Sequence, residues 1–209
     1  FWIFLMSLKS SAQVMEWPPV FIFEPTLDNY KVLFDMSAAG SSNYGTIRIN
    51  FLEPILNSVI ISGGAVVVSL IIGIPAGYIL ARSNFKFKED IGFFILGFRF
   101  APLILVIIPM FYFFTILGIK DTYFGMIWVY QVITLPMIIW LTRVYVEDIP
   151  IELEEAAFVE GANVFHVISK IILPLLRPGL VGASLLVFLL AWHNFALGLL
   201  LASKKAPVT

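Results

Sequence analysis

Long stretches without a charged residue dominate this sequence and limit what it can fold into. Four such stretches lie between Glu53 and Arg82, Arg99 and Lys120, Asp121 and Arg143, and Arg177 and Lys204. The hydrocarbon core of a bilayer is about 30 Å thick, and roughly 20 apolar residues of helix cross it. Each stretch is long enough to cross once. The sequence therefore predicts four membrane spans, at residues 57–81, 100–119, 122–142 and 179–202.

The composition agrees with a chain built for lipid. Hydrophobic residues make up 60% and charged residues 13%, whereas soluble domains have about 45–50% and 25%. A net charge of -1 leaves no basic face for nucleic acid. Cysteine is absent, and His166 and His193 have no acidic or second histidine neighbour at ligand spacing, so no metal site is expected. The fold class predicted is all-α integral membrane protein.

The first part of the chain has two contrasting segments. Residues 1–8, FWIFLMSL, are apolar but too short to span, and we interpret them as the end of a first, partial helix. A signal peptide is the alternative, but it would need a basic leader and a small-residue cleavage site before Lys9. Residues 9–54 are polar and rich in turn formers, with a short helix expected within FEPTLDNYKVLF at 23–34.

The distribution of basic residues predicts how the chain is oriented. The loop RSNFKFKED at 82–90 holds three basic residues, which favours the cytoplasm. Alternation of the spans then places residues 9–54 outside the cell and residues 143–178 inside. We therefore expect an extracytoplasmic segment at 9–54.

The pattern EEAAFVEGANVFHVISKIILP, residues 154–174, predicts two short helices in this inner segment. The first would begin at a cap provided by Asp148 and run to about Glu160, where Gly161 can take the left-handed conformation that ends a helix. Asn163 would cap the second helix, and Pro174 would end it.

Each of these helices has a distinct face. The second carries an apolar stripe that would anchor it to the membrane domain: Val164, Phe165, Ile168, Ile171 and Ile172. The first carries acids beside the small residues Ala156 and Ala157, which would let another protein approach closely. An amphipathic loop lying on the lipid surface is the alternative, but such helices usually carry Lys or Arg on their polar face.

The same residues resemble a known family. Glu155-Ala156-Ala157, then Gly161 and Ile171-Ile172-Leu173-Pro174, match the EAA loop of the permease subunits of ABC importers. PAGYILAR at 75–82 and AWHNFALGLLLAS at 191–203 are similar to the maltose-type carbohydrate permeases. The resemblance implies a type I ABC importer transmembrane domain at residues 55–209, with a six-helix core of which about five spans are present. The start of the first helix and the last helix are expected to lie outside this sequence.

The resemblance also implies a role for the loop. Residues 147–178 would form the cytoplasmic EAA coupling loop, which contacts an ATPase and transmits its closure to the spans. The coupling residues implied are Glu155, Ala156, Ala157, Gly161, Glu152, Leu173 and Pro174.

The partners implied are two cytoplasmic ABC ATPase subunits, a second homologous permease subunit forming a heterodimer, and an extracytoplasmic solute-binding protein, in the plasma (inner) membrane of a prokaryote. The chain has no GxxxxGK[ST] loop. It is thus expected to be no enzyme and to bind no cofactor, with ATP and Mg²⁺ held by the partner subunits. It would form half of a pathway that carries a carbohydrate, an oligosaccharide or polyol, by alternating access.

Polar residues within the spans are candidates for the substrate pathway. Trp192, His193 and Asn194 lie within the last apolar stretch, with Gln131 and Thr134 in the preceding span. Polar groups at membrane depth usually face a bundle interior or a wet cavity. A tryptophan ring can stack on a sugar, and imidazole and amide groups can bond to hydroxyls. Hydrogen bonding between helices is the alternative.

Gly73 and Gly77 stand four residues apart, a spacing that lets two membrane helices pack closely.

Three other functions stay open at this point. An ABC permease for a non-sugar solute shares the EAA loop. An ion-coupled secondary transporter would need carboxylates or broken helices at the midplane, and the four predicted spans contain no Asp or Glu. A membrane enzyme would need paired acids, an HExxH pattern or a serine elbow, which the sequence lacks.

Overall fold

The computed structural model describes residues 1–34, 52–100, 103–194 and 197–198, and every regular element in these ranges is helical. The chain divides into two compact units, Phe1–Ile55 and Leu56–Thr209. The first unit contains three short helices: α1 Trp2–Ser7, α2 Ser11–Met15 and α3 Asp28–Phe34. The Asn29 amide of α3 donates to the carbonyls of Ser7 and Lys9 at 2.9 and 2.8 Å, which joins α3 to the end of α1.

The membrane helices belong to the rest of the chain. They are α4 Leu52–Arg82, α5 Lys88–Gly97, a 3-10 turn Phe98–Phe100, α6 Leu103–Ile116 and α7 Tyr123–Glu147. Two short helices follow, α8 Glu152–Val159 and α9 Val164–Val167. A π-helical turn Ile168–Ile172 then leads into the last membrane helix, α10 Leu173–Trp192. Three helices in the described ranges are long and apolar enough to cross a membrane: Leu52–Arg82, Tyr123–Glu147 and Val164–Trp192.

The direction of α4 relative to α7 requires a further crossing between them. The Tyr123 hydroxyl donates to Asn57 near the start of both helices, and Gly77 meets Thr142 near their ends, so the two helices run parallel. The chain must therefore return across the membrane between them. The pair Lys88–Phe100 and Leu105–Ile116, bent by 88°, supplies that return as a broken span.

The last span runs in the opposite direction to α7. The ring of Tyr145 lies against Gly179 at one end, and the Tyr130 hydroxyl donates to the Asn194 carbonyl at 3.0 Å at the other. The structure thus bears out an all-helical membrane fold with four crossings after residue 52, when the bent pair is taken as one.

Two of the predicted spans differ in extent from the helices. The predicted span at 100–119 is realised by α5 together with the 14-residue α6. The prediction starts too late because Arg99, in the 3-10 turn between α5 and α6, interrupts an apolar run that begins at Ile91. The other charges of α5 lie in its first turn, at Lys88, Glu89 and Asp90. The predicted span at 179–202 begins earlier, because α9, the π-helical turn and α10 form one continuous helix from Val164 to Trp192.

Pro174 does not end a helix, contrary to the prediction. It lies in the first turn of α10, directly after the π-helical turn Ile168–Ile172. A π-helical turn shifts the hydrogen-bond register from i→i+4 to i→i+5, and the missing N–H of proline is tolerated where that register changes.

Close packing of α4 against α7 involves glycines at three positions, and Gly73 and Gly77 are the two predicted from the sequence. A Cβ atom on Gly73 would lie 2.6 Å from the Ile138 Cγ2 atom, and one on Gly77 would lie 2.7 Å from the Thr142 Cβ atom. Real Cβ atoms do not approach other atoms this closely, so the backbone of α4 reaches α7 because both positions lack a side chain.

Candidate functional site

A helix, a left-handed turn and a second helix follow α7. Gly161 has φ +88, and its N–H donates to the Phe158 carbonyl at 3.0 Å. The Ala162 N–H donates to the Ala157 carbonyl, also at 3.0 Å. This pair of bonds is the Schellman motif that ends an α-helix at a glycine. The Asn163 side chain then accepts the His166 N–H at 2.8 Å and caps α9.

The start of α8 differs from the prediction. Asp148 is the C-terminal cap of α7, and α8 begins at Glu152 after Ile151, which makes no side-chain capping bond. Glu152 and Glu155 still lie in the first turn, where negative charge is favoured by the helix macrodipole.

One face of α8 is open to solvent. Glu152, Glu155, Ala156 and Val159 fall at i, i+3, i+4 and i+7, and all four are exposed. Gly161 continues this surface, because it is also exposed and no atom lies within 4 Å of where its Cβ would be. Acids and small residues are thus combined on one protruding surface of about two helical turns.

The remaining predicted coupling residues lie beside or beneath this surface. Ala157 is half-buried, Leu173 packs against an apolar cluster, and Pro174 is exposed on α10. That cluster, which we call the lower cluster, joins α4, α7 and the continuous helix 164–192 through Tyr78, Val146, Val167, Ile172, Leu176 and Leu180.

The apolar stripe predicted for the second helix is partly wrong. Val164 and Phe165 are exposed, by 52% and 80%, whereas Val167 and Ile172 are fully buried in the lower cluster. The π-helical turn explains the difference, since it places residues five positions apart, such as Val167 and Ile172, on the same face. The prediction assumed a spacing of 3.6 residues throughout.

Sequence reasoning missed the burial of Glu154. Although its neighbours on α8 are exposed, its side chain is 2% exposed. The Arg82 Nε–H donates to its Oε1 atom at 2.6 Å, and the Tyr78 hydroxyl donates to its Oε2 atom at 2.6 Å. The Arg82 Nη2 group also donates to the Ile149 carbonyl at 2.6 Å. We call Glu154, Tyr78 and Arg82 the Glu154 cluster.

The Glu154 cluster places two loops on the same side of the membrane. Arg82 ends α4 and begins the basic loop 82–90, whereas Ile149 and Glu154 belong to the segment after α7. Direct bonds between them require both segments to share one face. This agrees with the alternation of spans deduced from the sequence.

A second arginine makes a similar connection nearby. Arg143 of α7 is 10% exposed and donates to Glu89 of α5 at 2.6 Å and to Glu147 at 2.8 Å. Its guanidinium also lies 5.7 Å from the centre of the Trp140 ring. This connection explains how a charged residue can lie in an otherwise apolar helix, because burial of a charge requires partners.

At the other end of the bundle, the polar residues after α10 border an open cleft. His193 and Asn194 line this cleft of about 550 Å³ together with Leu186, Leu189 and Leu190. Trp192 is half-buried, and its ring stacks on Phe188 at 5.7 Å between centroids. Such a volume lies within the range of small-molecule pockets, about 300–1,000 Å³.

Gln131 and Thr134 take part in helix packing. The Ser69 hydroxyl of α4 donates to Gln131 Oε1 at 2.7 Å and lies 2.7 Å from the Thr134 hydroxyl. Gln131 Nε2 donates to the Ala65 carbonyl, and Thr134 is fully buried. Because these polar groups are occupied between α4 and α7, we assign both residues to the helix interface rather than to the cleft.

The comparison with known proteins adds independent information. Residues 73–207 match the family described as binding-protein-dependent transport system inner membrane component. A trehalose transport system permease protein, SugB, from Mycobacterium tuberculosis is 32% identical over 208 residues, which are 100% of this chain and 71% of that protein.

Two further proteins are similar over the same extent. A trehalose/maltose transport system permease protein, MalG, from Thermococcus litoralis is 30% identical over 100% of this chain and 71% of that protein. A crystal structure of a bacterial ABC transporter involved in the import of the acidic polysaccharide alginate matches with a TM-score of 0.76 and 27% identity, over 99% of this chain and 69% of that one.

The matched region contains Gly73 and Gly77 of α4, the Glu154 cluster, the Schellman turn and the whole of the last span. Several apolar helices and this match make the protein a multi-pass component of the plasma membrane and a transport subunit rather than a catalytic one. The chain therefore belongs to the family of binding-protein-dependent transport system inner membrane components, the permease subunits of ABC importers.

Proposed function

We propose that this chain forms half of the membrane pathway of an ABC importer that carries a carbohydrate, either an oligosaccharide or a polyol, by alternating access. Family membership sets aside the ion-coupled secondary transporter and the membrane enzyme. A second homologous permease subunit would complete the pathway as a heterodimer. Two ATPase subunits in the cytoplasm and an extracytoplasmic solute-binding protein would complete the transporter.

The geometry of α8 is the observation that carries this proposal. Its face of Glu152, Glu155, Ala156 and Val159, with Gly161 at its end, protrudes without a covering element among the described residues. The helix is attached to α4 through Glu154 and, by way of α9, to the lower cluster. A partner that binds this face and moves can therefore displace the spans.

We assign this face to the ATPase partner, which places the loops 82–90 and 147–178 in the cytoplasm. The chain lacks the glycine-rich phosphate loop of ATPases, so ATP and Mg²⁺ would be bound by the partner subunits. Nucleotide-driven closure of the ATPases would pull on α8, and the spans would rearrange to open the pathway toward the solute-binding protein.

The carbohydrate assignment rests on the relatives and on the cleft. The similar proteins are named for transport of trehalose, maltose and alginate. The cleft at the end of α10 offers an imidazole and an amide, at His193 and Asn194. The indole of Trp192 borders a separate, smaller cavity that Asn194 also lines. These groups can bond to hydroxyls and stack on the apolar face of a sugar ring.

Transport by the complete system tests this proposal. The permease pair, its ATPases and its solute-binding protein, reconstituted into proteoliposomes, are expected to import labelled trehalose, maltose or a polyol only when ATP is supplied on the cytoplasmic side. Import of a labelled amino acid or peptide without import of any carbohydrate would contradict the proposed substrate class. Import without ATP would contradict the proposed mechanism.

A further inference from the structure

The Glu154 cluster holds α8 with a buried charge, although apolar packing alone could hold a helix in place. A carboxylate with both oxygens bonded is buried on a helix whose neighbouring glutamates, Glu152 and Glu155, are exposed. Removing a charge from water is costly, and a buried ion pair adds little net stability compared with apolar packing. The attested benefit of such a pair is that it specifies one arrangement of the elements it joins.

The arrangement it specifies is the rotation of α8 about its own axis. Glu154 and Glu155 are adjacent, so they point about 100° apart around a helix of 3.6 residues per turn. When Glu154 is held inward by Arg82 and Tyr78, Glu155 and Ala156 must face outward. A rotation that exposed Glu154 would leave the Arg82 guanidinium, which is 15% exposed, without its carboxylate partner.

The cluster also joins α8 to the membrane helix α4 at two residues, Arg82 and Tyr78. Arg82 bonds to both Glu154 and the Ile149 carbonyl, so one guanidinium holds α8 and the connection that precedes it. Tyr78 lies one turn earlier in α4, adjacent to Gly77, where α4 packs against α7. A displacement of α8 is therefore delivered to a segment of α4 that packs directly against α7.

We propose that Glu154, Arg82 and Tyr78 are positioning residues for energy coupling, which orient the exposed face of α8 and transmit its displacement to α4. This inference rests on the proposed function, in which an ATPase binds that face. Its specific content is that the cluster determines how much solute is moved for each ATP hydrolysed. A role in folding alone would lower hydrolysis and transport together.

The test compares single substitutions in the complete reconstituted transporter, with ATP hydrolysis and import of labelled trehalose or maltose measured on the same proteoliposomes. Glu154→Gln keeps the size of the side chain and removes its charge. We expect the ATPase subunits to copurify with this variant and hydrolysis to stay near the wild-type rate. We expect import per ATP to fall about tenfold or more, because losing the charge-assisted bonds shifts the equilibrium between the correctly oriented and the displaced α8 by about that factor.

Glu89→Gln is the matched control. It makes the same substitution in an ion pair with the same 2.6 Å separation, but this pair joins α5 to α7 and does not involve α8. Because Glu89 is largely exposed, we expect its import per ATP to stay within about twofold of wild type. Arg82→Lys retains the cation and should preserve more import per ATP than Arg82→Gln.

The results separate failure of this inference from failure of the proposed function. A wild-type transporter that imports no carbohydrate with ATP would contradict the proposed function itself. A wild-type transporter that imports normally, with unchanged import per ATP in Glu154→Gln, would overturn only the coupling role of the cluster. A proportional fall of hydrolysis and import would overturn it as well. If Glu154→Gln does not accumulate, Tyr78→Phe, which removes one hydroxyl, applies the same criteria.

Discussion

Gly161 offers a direct test of how the exposed end of α8 works. Its φ of +88 lies in the region that residues with a side chain rarely adopt, yet no atom lies within 4 Å of where a Cβ would be. Within this chain a substitution therefore introduces conformational strain and no steric clash. Any further loss must come from a partner that approaches Gly161 closely.

The free-energy cost of this strain can be estimated. A left-handed backbone costs a residue with a Cβ about 1–2 kcal/mol, and asparagine adopts it more readily than alanine. Because each 1.4 kcal/mol corresponds to a factor of ten, the population of the correct turn would fall by about 5- to 30-fold in Gly161→Ala. Gly161→Asn should lose less than Gly161→Ala if the turn alone matters. Gly161→Asp adds charge at the proposed contact and should abolish coupled transport while the subunit remains in the membrane.

Gly118 provides the control for strain. Its φ is +68, it also has nothing within 4 Å of its Cβ position, and it follows α6 on the opposite side from α8. Gly118→Ala should lower the thermal unfolding midpoint in detergent about as much as Gly161→Ala while leaving ATP-dependent uptake largely intact. Undiminished uptake by Gly161→Asp, or equal loss of uptake in the Gly118 and Gly161 variants, would refute docking at this turn.

Three further substitutions test other parts of the structure. Trp192→Ala should weaken solute uptake without weakening copurification of the ATPase subunits, and normal uptake with altered assembly would assign the residue to packing instead. Gly77→Val should destabilise the bundle by roughly 1–3 kcal/mol, because its Cβ would lie 2.7 Å from Thr142, and a thermal midpoint equal to wild type would contradict the close approach. Ile172→Ala should cost roughly 2–5 kcal/mol of unfolding free energy, whereas Phe165→Ala, at an 80% exposed position, should change the midpoint little.

Local features of the coupling segment could be predicted from neighbouring residues. The left-handed turn at Gly161 and the Asn163 cap depend on side chains and backbone groups within a few positions, and both are observed. The inward orientation of Glu154 could not be predicted in this way. Its partners Tyr78 and Arg82 are 76 and 72 residues away, and nothing in the local pattern distinguishes it from Glu155.

The polar residues predicted for the substrate pathway show the same contrast between what local sequence predicts and what distant partners decide. Polar residues in the spans were identifiable by their rarity, but their partners were not. Gln131 bonds to Ser69, 62 residues earlier, whereas His193 and Asn194 border a cleft. Hydropathy treats all of these residues alike, because it records the cost of placing a polar group in lipid and not the group that offsets that cost.

The sequence by itself determined the features that depend on the surrounding solvent and on local backbone geometry. Apolar stretches of about 20 residues indicate helices in lipid, because a helix bonds every backbone N–H and C=O within its own segment. The tertiary structure alone decided the rotation of each helix and the break between α5 and α6. It also decided the π-helical turn before α10 and the burial of Glu154. Each of these depends on which distant side chains are brought into contact, since a buried charge or a close helix crossing is stable only when its partner is in place.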